Sequence, residues 1–214
     1  MGRKKIYVQT CFCKMCVKRT KMNASVAENI LAYWFPKDGS SDMDKWFMKS
    51  TEYDQEIILY YKDILTRAEK GDTTHWLYGS KNTFLAHIVL MDQMSRHIYR
   101  KDGNPYQNDK GCIIFTLQGI DIYYDEYSDN EKMFVLLPLM HSEQLVYQNK
   151  CIEYIDNELE LDPNNAFWAN VRKHAVGHRD VIQTFGRFPK RNERLNRKST
   201  EEELDYIKTT EGVY

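Results

Sequence analysis

Three observations predict an all-α fold. Apolar residues recur at helical spacing, strand-period alternation is scarce, and the helical stretches run to roughly ten to twenty residues with short polar joints between them. Joints that short make antiparallel helical hairpins the expected arrangement. The 214 residues suit one domain with a short appendage. A hydrophobic fraction of 42% is enough for a real core, and 30 basic against 31 acidic residues leave a net charge of -1. That balance excludes a disordered chain, a collagen, a disulfide scaffold and a strongly basic nucleic-acid binder. No apolar run reaches the length of a membrane span.

Residues 1–22 read as an irregular basic extension and residues 23–214 as a single helical domain. Arg3, Lys4, Lys5, Lys14, Lys18, Arg19 and Lys21 all precede the first acidic residue, Glu28, so the body is acidic and the head basic. The apolar stretch Ile6 to Cys13 is short and broken by Gln9 and Thr10, which argues against a secretory signal, and the Arg- and Ser-rich pattern of a transit peptide is lacking. Met-Gly opens the chain, but Ile6 stands where a myristoylation site has Ser or Thr. The expectation is a cytoplasmic protein with a solvated head, and Met22 is an alternative start. Cys11, Cys13 and Cys16 give C-x-C-x-x-C, three thiolates where tetrahedral zinc needs four ligands. Free thiols in a reducing compartment are expected.

The first helix spans Val26 to Phe35 and closes before Pro36. Thr51 to Lys70 follows, with Ile57, Ile58, Tyr61, Ile64, Leu65 and Ala68 on one face and Gly71 as the stop. Lys81 to Arg100 is apolar nearly all round in its first half, as a central buried helix is. Further helices are expected at Asp109 to Gly119, His141 to Glu160, Asn165 to Phe185 and Thr200 to Lys208. Ser199 and Thr200 with Glu202 and Glu203 offer two overlapping capping boxes for the last. Asp102 to Asp109 and the tyrosine-rich Asp121 to Glu131 read as loops, and Pro138 predicts a corner within Met133 to Met140.

Several helices carry polar groups where apolar ones belong. At 100° per residue, Asp92 and Arg96 fall between Leu85 and Val89. His141 and Gln148 share the stripe of Leu145, Ile152, Ile155 and Leu159. His174 and His178 lie on the stripe of Phe167, Val171, Ile182 and Phe185. Buried charge is costly unless paired, and Asp92 and Arg96 are spaced to pair along their helix. Such groups either knit helices together or line a polar pocket. A core histidine bonded to a backbone carbonyl is the plainer account of His174. His174-x-x-x-His178 has metal-ligand spacing but lacks the Glu of zincin helices. Ser142 beside His141 is no triad, and no G-x-S-x-G turn exists. No metal and no cofactor are expected.

Phe185 to Asn192, followed by Arg194 and Arg197, sets guanidinium forks among phenylalanines in an acidic body. Gly186 is placed to end a helix and Pro189 to fix a turn. Arginine suits bidentate capture of carboxylate or phosphate. The alternative is a loop whose arginines pair with nearby acids. Nucleic acid is disfavoured by the body's charge.

These residues carry a resemblance. Tyr33-Trp34-Phe35, Trp46-Phe47 with Tyr53-Asp54, Leu85-Ala86, and Asp92-Gln93-x-x-Arg96-x-x-Tyr99-Arg100 come first. Pro138-Leu139-Met140-His141-Ser142-Glu143 with Gln148 follows, and His178-Arg179-Asp180 runs into Phe185-Gly186-Arg187-Phe188-Pro189-x-Arg191-Asn192. Arg197-x-Ser199-Thr200-x-Glu202-Glu203 closes the series. In this order the strings resemble domain-of-unknown-function family 924, mostly bacterial helical proteins, over about Ile30 to Glu203. The resemblance implies a tetratricopeptide-like fold and no established activity. This chain departs from the family pattern at Met94-Ser95, His97, Lys190 and Asn196, where Phe-Pro, Asn, His and Gly are usual. Lys190 bears most on function: if the family loop uses that histidine chemically, a member with Lys190 in its place is expected to bind without catalysing.

The leading expectation is a concave polar pocket walled by Asp92, Gln93, Arg96, Arg100, His141, Glu143, His178, Arg187 and Arg191. Its guest is a small anion or an acidic peptide end, clamped by Arg96 and Arg191 with Asp92 orienting Arg96. The second expectation is a metal-independent, hydrolase-like enzyme with His141 or His178 as general base and Glu143 as its partner. The third is a scaffold whose polar cluster only holds helices together. Oligomeric state is left open.

Overall fold

The computed structural model describes residues 25–210. The basic head and its three cysteines lie outside that range. Among the described residues there is no strand. The order is α1 (residues 25–34), α2 (Met43–Phe47), α3 (Thr51–Glu69), a 3-10 turn (Thr74–Tyr78), α4 (Lys81–Ile88), a π-helical stretch (Val89–Met94) and α5 (Ser95–Ile98). Then come α6 (Asp109–Tyr123), a 3-10 turn (Tyr124–Glu126), α7 (Asp129–Met140), α8 (Leu145–Leu161), α9 (Ala166–Phe185), a 3-10 turn (Pro189–Arg191) and α10 (Glu201–Thr209).

Local chemistry explains most boundaries. The Ser50 side chain accepts from Tyr53 N to start α3. Ser80 and Thr83 form a reciprocal capping box on α4, and the Glu131 carboxylate takes the Ser128 backbone N–H at the start of α7. The Asn165 side chain accepts from Phe167 N and Trp168 N at the start of α9, and Gly186 ends that helix at φ 68°. Of the two boxes expected at α10, Thr200 with Glu203 is the one formed, while Ser199 Oγ accepts from Asn192 Nδ2.

α4, the π stretch and α5 form one continuous rod packed by α3, α6 and α7. Phe84, Leu85, Ala86, Ile88, Val89 and Leu90 on it are fully buried, as the all-round apolar sequence predicts. Trp34, Trp76, Phe134 and Trp168 fill out the core around it. α7 and α8 form an antiparallel hairpin. Gln148 bonds to Met140 O, Cys151 to Leu136 O and Lys132 to Glu158, numbers rising on one helix as they fall on the other. α9 folds back on α8 and is tied to it by Arg172 with Asp156. A smaller cluster of Val181, Ile182 and Phe188, with Phe185 and Tyr206 against it, seats the arginine-rich loop.

Three expectations are corrected. Pro138 does not turn a corner: α7 runs through it to Met140. Proline inside a helix costs about 3 kcal/mol. Here Met133 to Met140 is buried throughout, and each large apolar side chain returns roughly 1.5–3 kcal/mol. Asp121 to Glu131 is not one loop, because α6 continues to Tyr123 and the capped α7 begins at Asp129. His141 does not open a helix; it is the C-cap of α7, and α8 starts at Leu145.

Candidate functional site

The site begins with a local change of helical pitch. From Val89 to Met94 the central rod widens into a π-helix, and Asp92 and Gln93 both fall inside it. Single π turns are frequent at functional sites, because the extra residue re-aims neighbouring side chains. Asp92 is 1% exposed. Its Oδ1 accepts from Arg96 Nη2 at 3.1 Å and from His141 Nδ1 at 2.9 Å, and Gln93 Nε2 donates to its Oδ2. Although burial opposes it, His141 and the Arg96 guanidinium beside it hold the Asp92 carboxyl well below the usual carboxylate range.

His141 comes from a different element. Its backbone N–H closes on Leu137 O at the end of α7, which puts the ring over the π stretch. The corner beneath it is held by fully buried Gln148, whose Nε2 donates to Met140 O at 2.6 Å and Ser142 O at 2.7 Å. A carboxylate can only accept, so His141 Nδ1 carries the hydrogen and Nε2 carries the lone pair. Among the described residues no hydrogen bond reaches that Nε2. Burial lowers the His141 pKa below its ordinary value, and the neighbouring Asp92 opposes the shift.

A second carboxylate, Asp109 in the first turn of α6, bridges two arginines. Arg96 Nη2 is 3.0 Å from its Oδ1 and Arg191 Nη1 is 2.9 Å from its Oδ2. The Arg191 guanidinium lies 4.4 Å from the centroids of both the Tyr106 and the Phe188 rings, and Arg96 lies 5.5 Å from Tyr106. A cavity of about 310 Å³ opens beside this pair. Its walls include Tyr106, Asp109 and Ile113, the corner residues His141 to Gln144, and Arg191 with Leu195.

The remaining predicted residues divide. His178 stands beside His141, with ring centroids 6.3 Å apart, and its Nδ1 donates to His174 O at 2.9 Å. Burial pushes the His178 pKa down to about 3. Glu143 lines the cavity but is held by Arg197, at 2.6 Å, and by the Phe188 N–H. It is therefore no partner for His141, which uses Asp92. Arg100 belongs to another cluster, 3.3 Å from Asp54, which also takes His97 Nδ1 at 2.9 Å. Arg187 turns away to Glu203 on α10, and that ion pair draws the Glu203 pKa down to about 2. Lys190 donates to Thr210 O and does not line the cavity.

Sequence reasoning missed Asp109 and Tyr106. An acidic residue at a helix start is ordinary capping chemistry, and a tyrosine in a loop carries no periodic signal. Among the described residues no group of three or more His, Cys, Asp or Glu is gathered as metal ligands require, and no helix is long and apolar enough to cross a membrane.

Fold and site together define an all-helical protein with an Asp, Arg and His network at the edge of a small cavity. The chain belongs to the family described as "Bacterial protein of unknown function (DUF924)", which matches residues 30–211. It is similar to a solved protein of unknown function, ATU0120 from Agrobacterium tumefaciens, at 28% identity and a TM-score of 0.76. The match covers 88% of this chain and 99% of that one. No curated protein matches the chain.

Proposed function

We propose that the chain is a hydrolase-like enzyme in which His141 is the general base. The observation that supports this reading is the contact between His141 Nδ1 and the carboxylate of Asp92, which is nearly sealed from solvent. A carboxylate so placed holds the imidazole in one tautomer and one orientation, with a basic nitrogen left over. Water bound at Nε2 gives up a proton as its oxygen attacks an acyl carbon. The C–O bond to the leaving group then breaks, and the alkoxide takes the proton back from the imidazolium. Arg191 on the cavity wall is suited to stabilise the negative charge that develops.

The test is turnover of 4-nitrophenyl esters. The rate should rise with pH through a single titration below 6.5, since burial lowers the His141 pKa and only the neutral ring is a base. His141→Ala should lose about 10²- to 10⁴-fold. Asp92→Asn should lose about tenfold or more with KM little changed. Glu143→Gln should change kcat little, because Glu143 serves Arg197. Equal turnover in wild type and His141→Ala overturns the reading.

The receptor reading for a small anion retains one supporting observation, the Arg191 fork stacked between two aromatic rings at the cavity wall. It is weakened by Asp109, which already takes one edge of Arg191 and also takes Arg96. Phosphate or acetate raising the melting temperature of wild type but not of Arg191→Ala, with no ester turnover, selects that reading instead.

A further inference from the structure

His141 borders a second cavity as well as the polar one. This second space has a volume of about 400 Å³ and is lined by Met43 and Phe47 of α2, Met133, Leu137 and Met140 of α7, and Val171 of α9. His141, His174 and His178 stand on its polar side. The two cavities differ in kind: one carries the charged Asp109, Lys110, Glu143 and Arg191, the other thioethers and hydrocarbon with the histidines and Asn170 as its polar groups. His141 is the residue common to both linings. Both volumes fall in the range of small-molecule sites.

We infer that the site takes an amphiphilic acyl ester, its acyl chain in the cavity of Met43, Phe47 and Leu137 and its polar alcohol portion beside Arg191. The inference rests on His141 being the base, because only then does the bond joining the two portions lie at the reacting nitrogen. Three methionines among the lining residues suit a flexible chain, since the unbranched thioether adapts to varied shapes. Met43 is 52% exposed and Phe47 48%, so these two side chains of α2 stand at the mouth while Trp46 anchors the helix in the core. Water adds to the acyl carbon as its proton passes to His141 Nε2, the ester C–O bond breaks, and the alcohol leaves with that proton. One water is consumed, and a fatty acid and an alcohol are released.

Chain-length selectivity tests the substrate class. Wild type should show a kcat/KM at least 30-fold higher for 4-nitrophenyl octanoate than for 4-nitrophenyl acetate. Met43→Asp and Asn170→Trp, both at exposed lining positions, should lower that ratio fivefold or more, and Met43→Leu should keep it near the wild-type value. His141→Ala should lose both activities yet still bind neutral N-phenyl-1-naphthylamine within threefold of wild type, with octanoate competing. A ratio near one together with no probe binding overturns the acyl-chain site while the general base stands. Probe binding that is competed by octanoate and weakened by Asn170→Trp, with no ester hydrolysed, overturns the base while the apolar site stands.

Discussion

Gln148 shows how much a single buried amide can control. Its two short bonds to Met140 O and Ser142 O satisfy carbonyls at the end of α7 that the helix leaves over, and His141 lies between those two residues. Gln148→Leu keeps the volume but strands both carbonyls, at about 1–3 kcal/mol each. The expected outcome is a melting temperature lower by several degrees and a fall in kcat larger than any change in KM, measured on the same ester. A role confined to stability would lower the melting temperature and leave kcat intact at 20 °C. Asp92, Arg96, Gln148 and His178 were legible in the sequence as polar residues on apolar stripes. His141 was found by the same device for a wrong reason, because the stripe belonged to α8 while the residue caps α7. Arg100 and Arg187 carry charges as conspicuous as that of Arg191, and only the fold shows that Asp54 and Glu203 take them up.

Among the elements, the central rod was legible from its length and its all-round apolar face. Its π stretch was not, since nothing in Val89 to Met94 signals a change of pitch. The short α2 and the Thr74–Tyr78 turn also went unread, being too brief for a periodic pattern. Helix approach is where small residues matter. A Cβ on Gly119 of α6 would stand 2.3 Å from Phe84 Cε2 on α4 and 2.9 Å from Leu77 Cδ1. Both neighbours are buried core residues, so neither has open space to move into. Gly119→Ala should therefore cost about 1–3 kcal/mol by overpacking, despite alanine's better helix propensity. Urea unfolding reads this directly as a lower midpoint at constant slope. Gly186→Ala has a different origin, the left-handed φ of 68° at the end of α9, and should cost about 1 kcal/mol. A Gly119→Ala midpoint equal to or above that of the wild type would contradict the steric account.

At the scale of the whole molecule, polar groups sit deep inside a helical core, which ties stability to pH. His87 is buried, stacked on Phe115 at 3.8 Å and bonded to Thr73, and burial pushes its pKa down to about 3. His178 is pushed to about 3 and His141 and His97 are lowered, in each case chiefly by burial. Unfolded histidine titrates near 6.5. Between that value and the depressed one, the unfolded chain binds protons that the native state refuses, so stability is complete above about 6.5 and falls as the solution is acidified. Each such histidine contributes a slope of up to about 1.4 kcal/mol per pH unit. Asp92 and Glu203, whose folded pKa values are lowered, act in the same direction but only below the ordinary carboxylate range. Melting temperature should thus decline steadily from pH 7 to pH 4, well before the carboxylates protonate. His87→Gln removes one titrating group remote in sequence from the cavity and keeps a polar atom for Thr73. Its melting curve should lie lower at pH 7 and lose less on the way to pH 4, by about one proton's worth of slope. Parallel curves for wild type and His87→Gln across that window would mean that His87 protonates as readily in the folded chain as in the unfolded one, and that its enclosure is not what the packing around Phe115 indicates.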